Sequence, residues 1–397
     1  MRRFARVLAW LMLMAGAVPV GVYALGRALT DRLSWSQFLF WIPASLLVGA
    51  AAVLISLAWG LSRVRRRDRH GALGRSRLLG RCVAWCALAA GLAGVHATWQ
   101  ARVHRWVLPG PEVGVGPTLR VVHWTAMAPD VAPRDTTLPG LIEQFEPDLM
   151  LLTMALAPHQ YDGLVSRLPE EFDSAHAGLF TVASRLPILS RRVFNLGLAE
   201  NDRPALPPGA AIDPRQPAPV PDESRHWIEY FYNQVRGPLG LPRRYFRNAD
   251  PGWLLVLTLD GTQRFGRPVT VYFYDLPSDP LRSKAELAER VTRVVGELER
   301  AGDLPPPDLI VGDFNIPRGS ASLGRMTRGY ASAHDDAGIG PCSTWPRARP
   351  ILHLDHLLRS PAWRARKYQV FDPGSGDHLA QWSVLEWVER RGAAAAP

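Results

Sequence analysis

Cysteine is scarce in this chain, which contains three among 397 residues. Cys82 and Cys86 stand four positions apart in an apolar segment, so they share one face of a helix, and helix packing explains them better than a metal or redox site. Cys342 is the single cysteine of the later sequence, and one cysteine cannot close a disulfide within its own domain. The composition therefore excludes a disulfide-stabilised domain, and the cellular location has to be inferred from other features.

Charged residues are missing from three long segments near the N-terminus, at 7–26, 33–62 and 82–101. A membrane-spanning helix needs about 20 apolar residues, and each segment is long enough. A cleaved signal peptide is the alternative for the first segment, but two more apolar segments follow and no small-x-small cleavage site stands out. We therefore expect residues 1–102 to form a membrane region of three transmembrane helices.

Acidic side chains are nearly absent from the same region. Residues 1–105 contain 15 arginines and only two acids, Asp31 and Asp68, whereas the remaining residues contain 31 basic and 34 acidic side chains. The net charge of +10 thus belongs to the membrane region, and the rest of the chain is slightly acidic. Sequence-independent DNA binding usually needs a basic surface, so the charge of the soluble part does not favour nucleic acid as a partner.

The arginines also predict the orientation of the chain. The connection between the second and third apolar segments, SRVRRRDRHGALGRSR, and the start of the chain, MRRFAR, should stay in the cytoplasm by the positive-inside rule. Three crossings then place the sequence after residue 102 on the outer face. We expect a multi-pass membrane protein with a linker at 103–116 and a soluble domain on the periplasmic or extracellular side.

Strand patterns dominate the region after the linker. The segments LRVVHWTAM, PDLMLLTM, GWLLVLTLDG, RPVTVYFYDLP and PDLIVGDFN predict strands, whereas KAELAERVTRVVGELER has the apolar spacing of a helix. Residues 203–222 contain too many prolines for regular structure, and we expect a lid there. Helices inserted between pairs of strands predict a mixed α/β layered fold with a sizeable core.

Polar residues lie at or near the ends of three predicted strands. Asp313 and Asn315 stand in GDFN, Asp355 stands in HLDH, and Asp377 and His378 stand in GSGDH. Hydrolysis of a phosphate ester needs a carboxylate that positions or deprotonates water, donors for the phosphate oxygens, and charge neutralisation, usually by a metal. The motifs supply these groups except a full metal shell. Taken alone, the first pair also suits a turn at a strand end, and Asp355 with His378 also suits a satisfied buried pair.

In these motifs the sequence resembles the endonuclease/exonuclease/phosphatase superfamily of deoxyribonuclease-I-like proteins, which carry Gly-Asp-x-Asn, an Ile-Asp-aromatic-type strand and Ser-Asp-His in this order. The resemblance covers about residues 117–390 and implies a four-layer α/β sandwich of two packed sheets flanked by helices. It implies that Asp313 positions the attacking water and that Asn315 holds the phosphate. It also implies that His378, oriented by Asp355, bonds a phosphate oxygen or shuttles a proton.

Departures from the family pattern fall on the metal site. The family has an Asn where this chain has Thr125, a metal-binding Glu where it has Met154, and a His where it has Asp275. A thioether does not suit a hard ion such as Mg²⁺. The resemblance makes Asp377 a metal-site residue, and Asp275 would join it and Asp313 in a rebuilt site for a divalent metal, Mg or Mn.

Two hypotheses about function remain. The first is a membrane-anchored, metal-dependent hydrolase of a phosphate ester, such as a phospholipid head group or a soluble phosphodiester. The second is a pseudoenzyme that keeps the fold and acts as a binding or scaffolding protein. The missing Glu favours the second, and the retained Asp–His elements favour the first.

A reporter enzyme fused after residue 397 tests the topology. Because the Arg-rich connection should keep the loop between the second and third segments inside, a reporter that works only outside the cytoplasm should be active. A reporter that works only in the cytoplasm should be silent. Activity of the cytoplasmic reporter alone would rule out three spans with an outer domain.

Overall fold

The computed structural model describes residues 2–63, 73–107, 116–126, 137–153, 158–198, 211–212, 251–280 and 282–388. The chain divides into two compact units, Met1–His104 and Arg105–Pro397. The first unit is helical, and the second contains two β-sheets. Met154 and most of the proline-rich run at 203–222 lie outside the described residues.

Four helices make up the described part of the first unit. They are α1 (Arg2–Leu29), α2 (Ser36–Trp41), α3 (Ala44–Arg63) and α4 (Leu73–Gln100). Three stretches of these helices, Val7–Leu29, Ala44–Leu61 and Leu79–Gln100, are long and apolar enough to cross a membrane. The predicted three apolar N-terminal helices are therefore confirmed.

Small side chains let these helices approach one another closely. Ala9, Ala51 and Ala58 are buried in the core of the unit. At Gly16 of α1, a Cβ atom would lie 3.0 Å from Cγ1 of Ile55 on α3, so the glycine permits a close approach of the two helices. Small residues at helix contacts are typical of membrane bundles, in which burial of apolar surface does not drive helix association.

The second unit is built from two sheets. Its strands are β1 (Thr118–Thr125), β2 (Leu149–Thr153), β3 (Asp173–Ala177), β4 (Phe180–Ser184), β5 (Ile188–Asn195), β6 (Ala211–Ile212), β7 (Trp253–Leu259), β8 (Val269–Asp275), β9 (Leu309–Asp313), β10 (Ala331–Ser332), β11 (Asp355–Arg359), β12 (Trp363–Phe371) and β13 (Ala380–Trp387). The first sheet has the order β12-β13-β1-β2-β4-β3, and the second has the order β10-β11-β9-β8-β7-β5-β6. The described helices are α5 (Thr137–Phe145), α6 (Pro158–Val165), α7 (Thr262–Phe265), α8 (Lys284–Arg300), α9 (Ala321–Met326) and α10 (Ala333–Ala337).

Alternation along the strands distributes the apolar side chains among the layers. Leu255 and Leu257 of β7 belong to the core between the sheets, whereas Leu254 and Val256 pack on the other side, with residues of α8. On the outer face of the first sheet lies α5, whose Phe145 packs against the strands. The order is thus helix, sheet, sheet, helix, and the expected four-layer α/β sandwich is confirmed.

Helix α8 forms where its apolar pattern predicts it. The hydroxyl of Ser283 accepts a hydrogen bond from the backbone N–H of Glu286, which caps the first turn. Leu287, Val291 and Val295 recur every four residues and are buried against the second sheet.

One part of the proline-rich run is regular. Ala211 and Ile212 form β6, which pairs with Phe194 and Val193 at the edge of the second sheet. The expectation that residues 203–222 contain no regular structure is therefore wrong at these two positions, because neither is a proline and both pair at the edge of the sheet.

Gly312 allows β8 and β9 to pair at the level of the polar motif. Its φ of 140° is unusual for other residues, and a Cβ atom there would lie 2.0 Å from the carbonyl oxygen of Tyr274 on β8. Side chains larger than hydrogen are therefore excluded unless the strands move apart.

Two glycine-to-alanine variants test this constraint. Gly312→Ala should lower the free energy of unfolding by about 3 kcal/mol or more, because a methyl group collides with backbone. Gly296→Ala is the control, since a Cβ there meets nothing within 4 Å and lies inside α8, where alanine should add about 1 kcal/mol. Denaturant unfolding of the full chain in detergent measures both. Shifts of the same sign in the two variants would contradict the proposed collision.

Candidate active site

Three aspartates lie side by side at one end of the second sheet. In the strand registers, Asp313 of β9 pairs with Asp275 of β8 on one side and with Asp355 of β11 on the other. Each stands two positions from a residue of the core between the sheets, Phe273, Val311 or Leu357, so all three belong to the inner face. Neighbouring strands are about 4.8 Å apart, and the fold therefore sets three carboxylates in one row.

The middle of the site is the buried pair of Asp355 and His378. The ring N–H at Nδ1 of His378 donates to Oδ2 of Asp355 over 2.7 Å. The hydroxyl of Thr125, at the end of β1 in the other sheet, donates to Oδ1 of the same carboxylate over 2.6 Å. All three side chains are buried.

These contacts keep the buried carboxylate ionised. Burial on its own raises the pKa of Asp355, but the charge of His378 and its hydrogen bond, together with His123 and the Thr125 hydroxyl, hold that pKa below its usual value. Thr125, where the family has Asn, is therefore a donor to the site.

Asn315 shapes the loop that follows Asp313. Its backbone N–H donates to Oδ1 of Asp313 over 2.9 Å, and its side-chain Nδ2 donates to the carbonyl oxygen of Leu276 over 2.7 Å. Its φ of 49° lies in the left-handed region, which asparagine tolerates better than most residues. The amide thus fixes the loops after β8 and β9, and its contact with a phosphate stays a prediction.

One group in the described residues has the composition of a metal site. Single ligand atoms of Asp313, Asp355 and His378 lie within 4.8 Å of one another, and Nε2 of His378 is 3.7 Å from Oδ2 of Asp313. Carboxylate oxygens and an imidazole nitrogen suit a divalent ion such as Mn²⁺, whereas Mg²⁺ prefers oxygen ligands throughout. The donor types therefore fit a divalent metal.

The other two predicted metal residues lie beside this group. Asp275 is half-buried next to Asp313 in the row, and Asp377 is half-buried one residue before His378. Neither belongs to the group of three, and the backbone carbonyl of Asp377 accepts a hydrogen bond from the backbone N–H of Arg347. Their roles as metal ligands stay predictions.

His123 is a buried residue of the region that its sequence context did not single out. It lies on the inner face of β1, two positions before Thr125, and its Nδ1 is 3.2 Å from Nε2 of Gln381 on β13. Burial lowers the pKa of His123 to about 4. In the sequence, His123 is recognisable only as a single histidine in an apolar strand. Its assignment to the site requires the strand register.

Residues 130–378 match the Endonuclease/Exonuclease/phosphatase family. The chain belongs to this family. Divalent metals are general among family members, which agrees with the donor types of the buried group. Membership confirms the predicted superfamily and a fold suited to hydrolysis of phosphate esters, and it does not identify a substrate.

Several solved structures of the endonuclease/exonuclease/phosphatase fold are similar to this chain. A family protein from Bacteroides thetaiotaomicron is 14% identical, with a TM-score of 0.46, and the match covers 69% of this chain and 99% of that one. The human Nocturnin catalytic domain with bound sulfate anion is 14% identical, with a TM-score of 0.45 and coverages of 69% and 96%. TDP2 from D. rerio, complexed with a single-strand DNA product, is 14% identical, with a TM-score of 0.44 and coverages of 68% and 99%. Comparison with curated proteins finds no significant match.

Unfolding as a function of pH tests the burial of His123. Because its folded pKa of about 4 lies below the ordinary histidine value of 6.5, stability is fully present above pH 6.5 and is lost as the pH falls toward 4. The difference corresponds to about 3 kcal/mol. Asp355 acts in the same sense but at lower pH, because its pKa is also depressed in the folded chain.

The variant His123→Gln should lose the part of the pH dependence of stability that His123 causes. Its difference in unfolding free energy from the wild-type chain should be constant above pH 7 and should shift in favour of the variant between pH 6.5 and 4. Denaturant unfolding with a chelator present measures the difference without a contribution from metal. A difference that does not vary with pH would show that His123 is not buried in its neutral form.

Proposed function

We propose that this chain is a membrane-anchored phosphoesterase that hydrolyses a phosphate ester with the help of a divalent metal. The observation that carries the proposal is the row of Asp275, Asp313 and Asp355, with His378 bonded to its last member. Like charges in a row favour a cation among them, and carboxylates with an imidazole are the groups that phosphate-ester hydrolysis needs.

Each side chain has a role that its contacts support. Asp355 accepts a hydrogen bond from the Nδ1 N–H of His378, which leaves Nε2 as the ring nitrogen that faces Asp313. His378 would then bond a phosphate oxygen or transfer a proton through Nε2. Asp313 would orient the attacking water, and Asn315, which holds the adjoining loop, would lie against the phosphate.

The metal would be held by Asp313 with Asp275 from the neighbouring strand, and Asp377 is a further ligand in this proposal. When bound, Mg²⁺ or Mn²⁺ would neutralise the negative charge that develops on the phosphate. The chain itself would supply the alignment, because the strand register fixes the carboxylates before substrate arrives.

The substrate is proposed only as a class. Three candidate spans precede the catalytic unit, and we therefore propose a phosphate ester at or near a membrane surface as the substrate. We also propose that the unit lies on the outer face. The slightly acidic balance of residues 106–397 does not favour nucleic acid.

A pseudoenzyme is the second candidate function, and the missing metal-binding Glu favours it. Met154 stands where the family has that Glu. Such a protein would keep the fold and bind a phosphate or a partner without turnover.

An assay of the full chain in detergent distinguishes the two functions. The probes are bis(p-nitrophenyl) phosphate and p-nitrophenyl phosphate, each with Mg²⁺, Mn²⁺ or a chelator. Asp313→Asn and His378→Gln should each lower the rate by about 100-fold or more, because each removes a group that acts on the reacting atoms. Asp303→Asn is the control, since Asp303 is exposed after the end of α8.

Thermal unfolding adds a readout that does not depend on turnover. Metal that binds only the folded chain should raise the melting temperature with concentration, and Asp275→Asn should reduce that rise. A rise without hydrolysis of either probe would favour the pseudoenzyme. If metal does not raise the melting temperature and neither probe is hydrolysed, the metal-dependent phosphoesterase is contradicted.

A further inference from the structure

The loop that carries His378 is held from one short segment of the chain, residues 344–347. The backbone carbonyl of Thr344 accepts from the N–H of Leu379 over 2.7 Å, and the backbone N–H of Arg347 donates to the carbonyl of Asp377 over 2.7 Å. These two hydrogen bonds lie on either side of His378 in the sequence. The backbone around the histidine is therefore fixed from both directions by the same segment.

The same segment also holds the partner of His378. The hydroxyl oxygen of Thr344 accepts from the backbone N–H of Leu354 over 3.2 Å and from that of Asp355 over 3.3 Å. Thr344 is fully buried, and its own N–H donates to Leu352 across the hairpin. One residue thus contacts the backbone of β11 and the backbone of the His378 loop.

Arg347 is the side chain that completes this attachment. Its Nε donates to the carbonyl oxygen of Gly376 over 2.9 Å, and its Nη1 lies 3.1 Å from Oδ1 of Asp372 at the start of the loop. Gly374 and Gly376 both have positive φ, which glycine adopts without strain, and the backbone N–H of Gly374 donates to Oδ1 of Asp372 over 2.8 Å. The guanidinium bridges the two ends of this glycine-containing stretch.

We propose that Arg347 is a positioning residue that holds His378 against Asp355. The hydrogen bonds of residues 344–347 to the His378 loop and to β11 fix this arrangement. The expected effect on kcat rests on the proposed phosphoesterase function. The positioning of His378 by Arg347 does not depend on that function. The side chain of Arg347 is about one-third exposed, at 32%, so its replacement should leave the core intact. A displacement of a catalytic group by about 1 Å can cost 100-fold in rate.

The kinetic test uses the full chain in detergent, with bis(p-nitrophenyl) phosphate and Mn²⁺. Arg347→Ala should lower kcat by about 10- to 100-fold with KM nearly unchanged, and added guanidinium should restore part of kcat. Arg347→Lys should be impaired as well, because an ammonium group cannot form the planar pair of contacts to Gly376 and Asp372. Arg349→Ala, an exposed neighbour in the same hairpin, is the matched control and should behave as wild type.

Amide hydrogen exchange of the same variants measures how firmly the His378 loop is held, and it does not require turnover. In Arg347→Ala the amides of residues 374–379 should exchange faster than in wild type, and in Arg349→Ala they should not. If the wild-type chain hydrolyses neither bis(p-nitrophenyl) phosphate nor p-nitrophenyl phosphate, the proposed function fails, and the exchange data alone decide the positioning role. Unchanged exchange in Arg347→Ala would overturn the inference.

Two kinetic outcomes would also overturn it. A higher KM at constant kcat would mean that Arg347 contacts the substrate instead of positioning His378. Full activity of Arg347→Lys would mean that positive charge alone is needed at this position, and not the planar guanidinium.

Discussion

The buried carboxylate of Asp355 joins the two sheets at the site, and the arrangement of the other groups depends on it. Asp355 begins β11 of the second sheet, whereas its donors Thr125 and His378 belong to β1 and to the loop before β13 of the first sheet. A buried charge without partners costs several kcal/mol, so both donors have to be in place. The hydrogen bonds that satisfy this charge therefore also keep the two sheets aligned where the polar side chains meet.

Much of the GDFN motif is explained by backbone geometry. Gly312 is required because Tyr274 of the neighbouring strand leaves no room for a side chain, and Asn315 takes a left-handed φ while its amide holds Leu276. Phe314 fills the core beneath α8. Asp313 holds the turn through Oδ1, which accepts the N–H of Asn315, whereas its Oδ2 faces His378. The motif is thus strong evidence for the fold, and the case for chemistry rests on the carboxylate row.

The sequence predicted the layers and the polar motifs, because strand alternation and helix spacing are local. It could not predict that Asp275, Asp313 and Asp355 share one level, since this depends on the register of three strands that are distant in the chain. For the same reason Thr125 was identified only as a departure from a family pattern. Arg347 was missed entirely, because its contacts are to backbone carbonyls and to an aspartate in another loop, which leave no signature in its own neighbourhood.

The nature of the change at position 275 bears on whether the site still works. Where the family has a His, this chain has an acid, placed directly beside Asp313 and in line with Asp355. A third carboxylate raises the repulsion in the row unless positive charge accompanies it. A fold kept only for binding would be relieved of that repulsion by asparagine, which has nearly the same shape and no charge. An acid at this position is advantageous when the row holds a cation, and Asp275 therefore argues for a rebuilt metal site over a vestigial one.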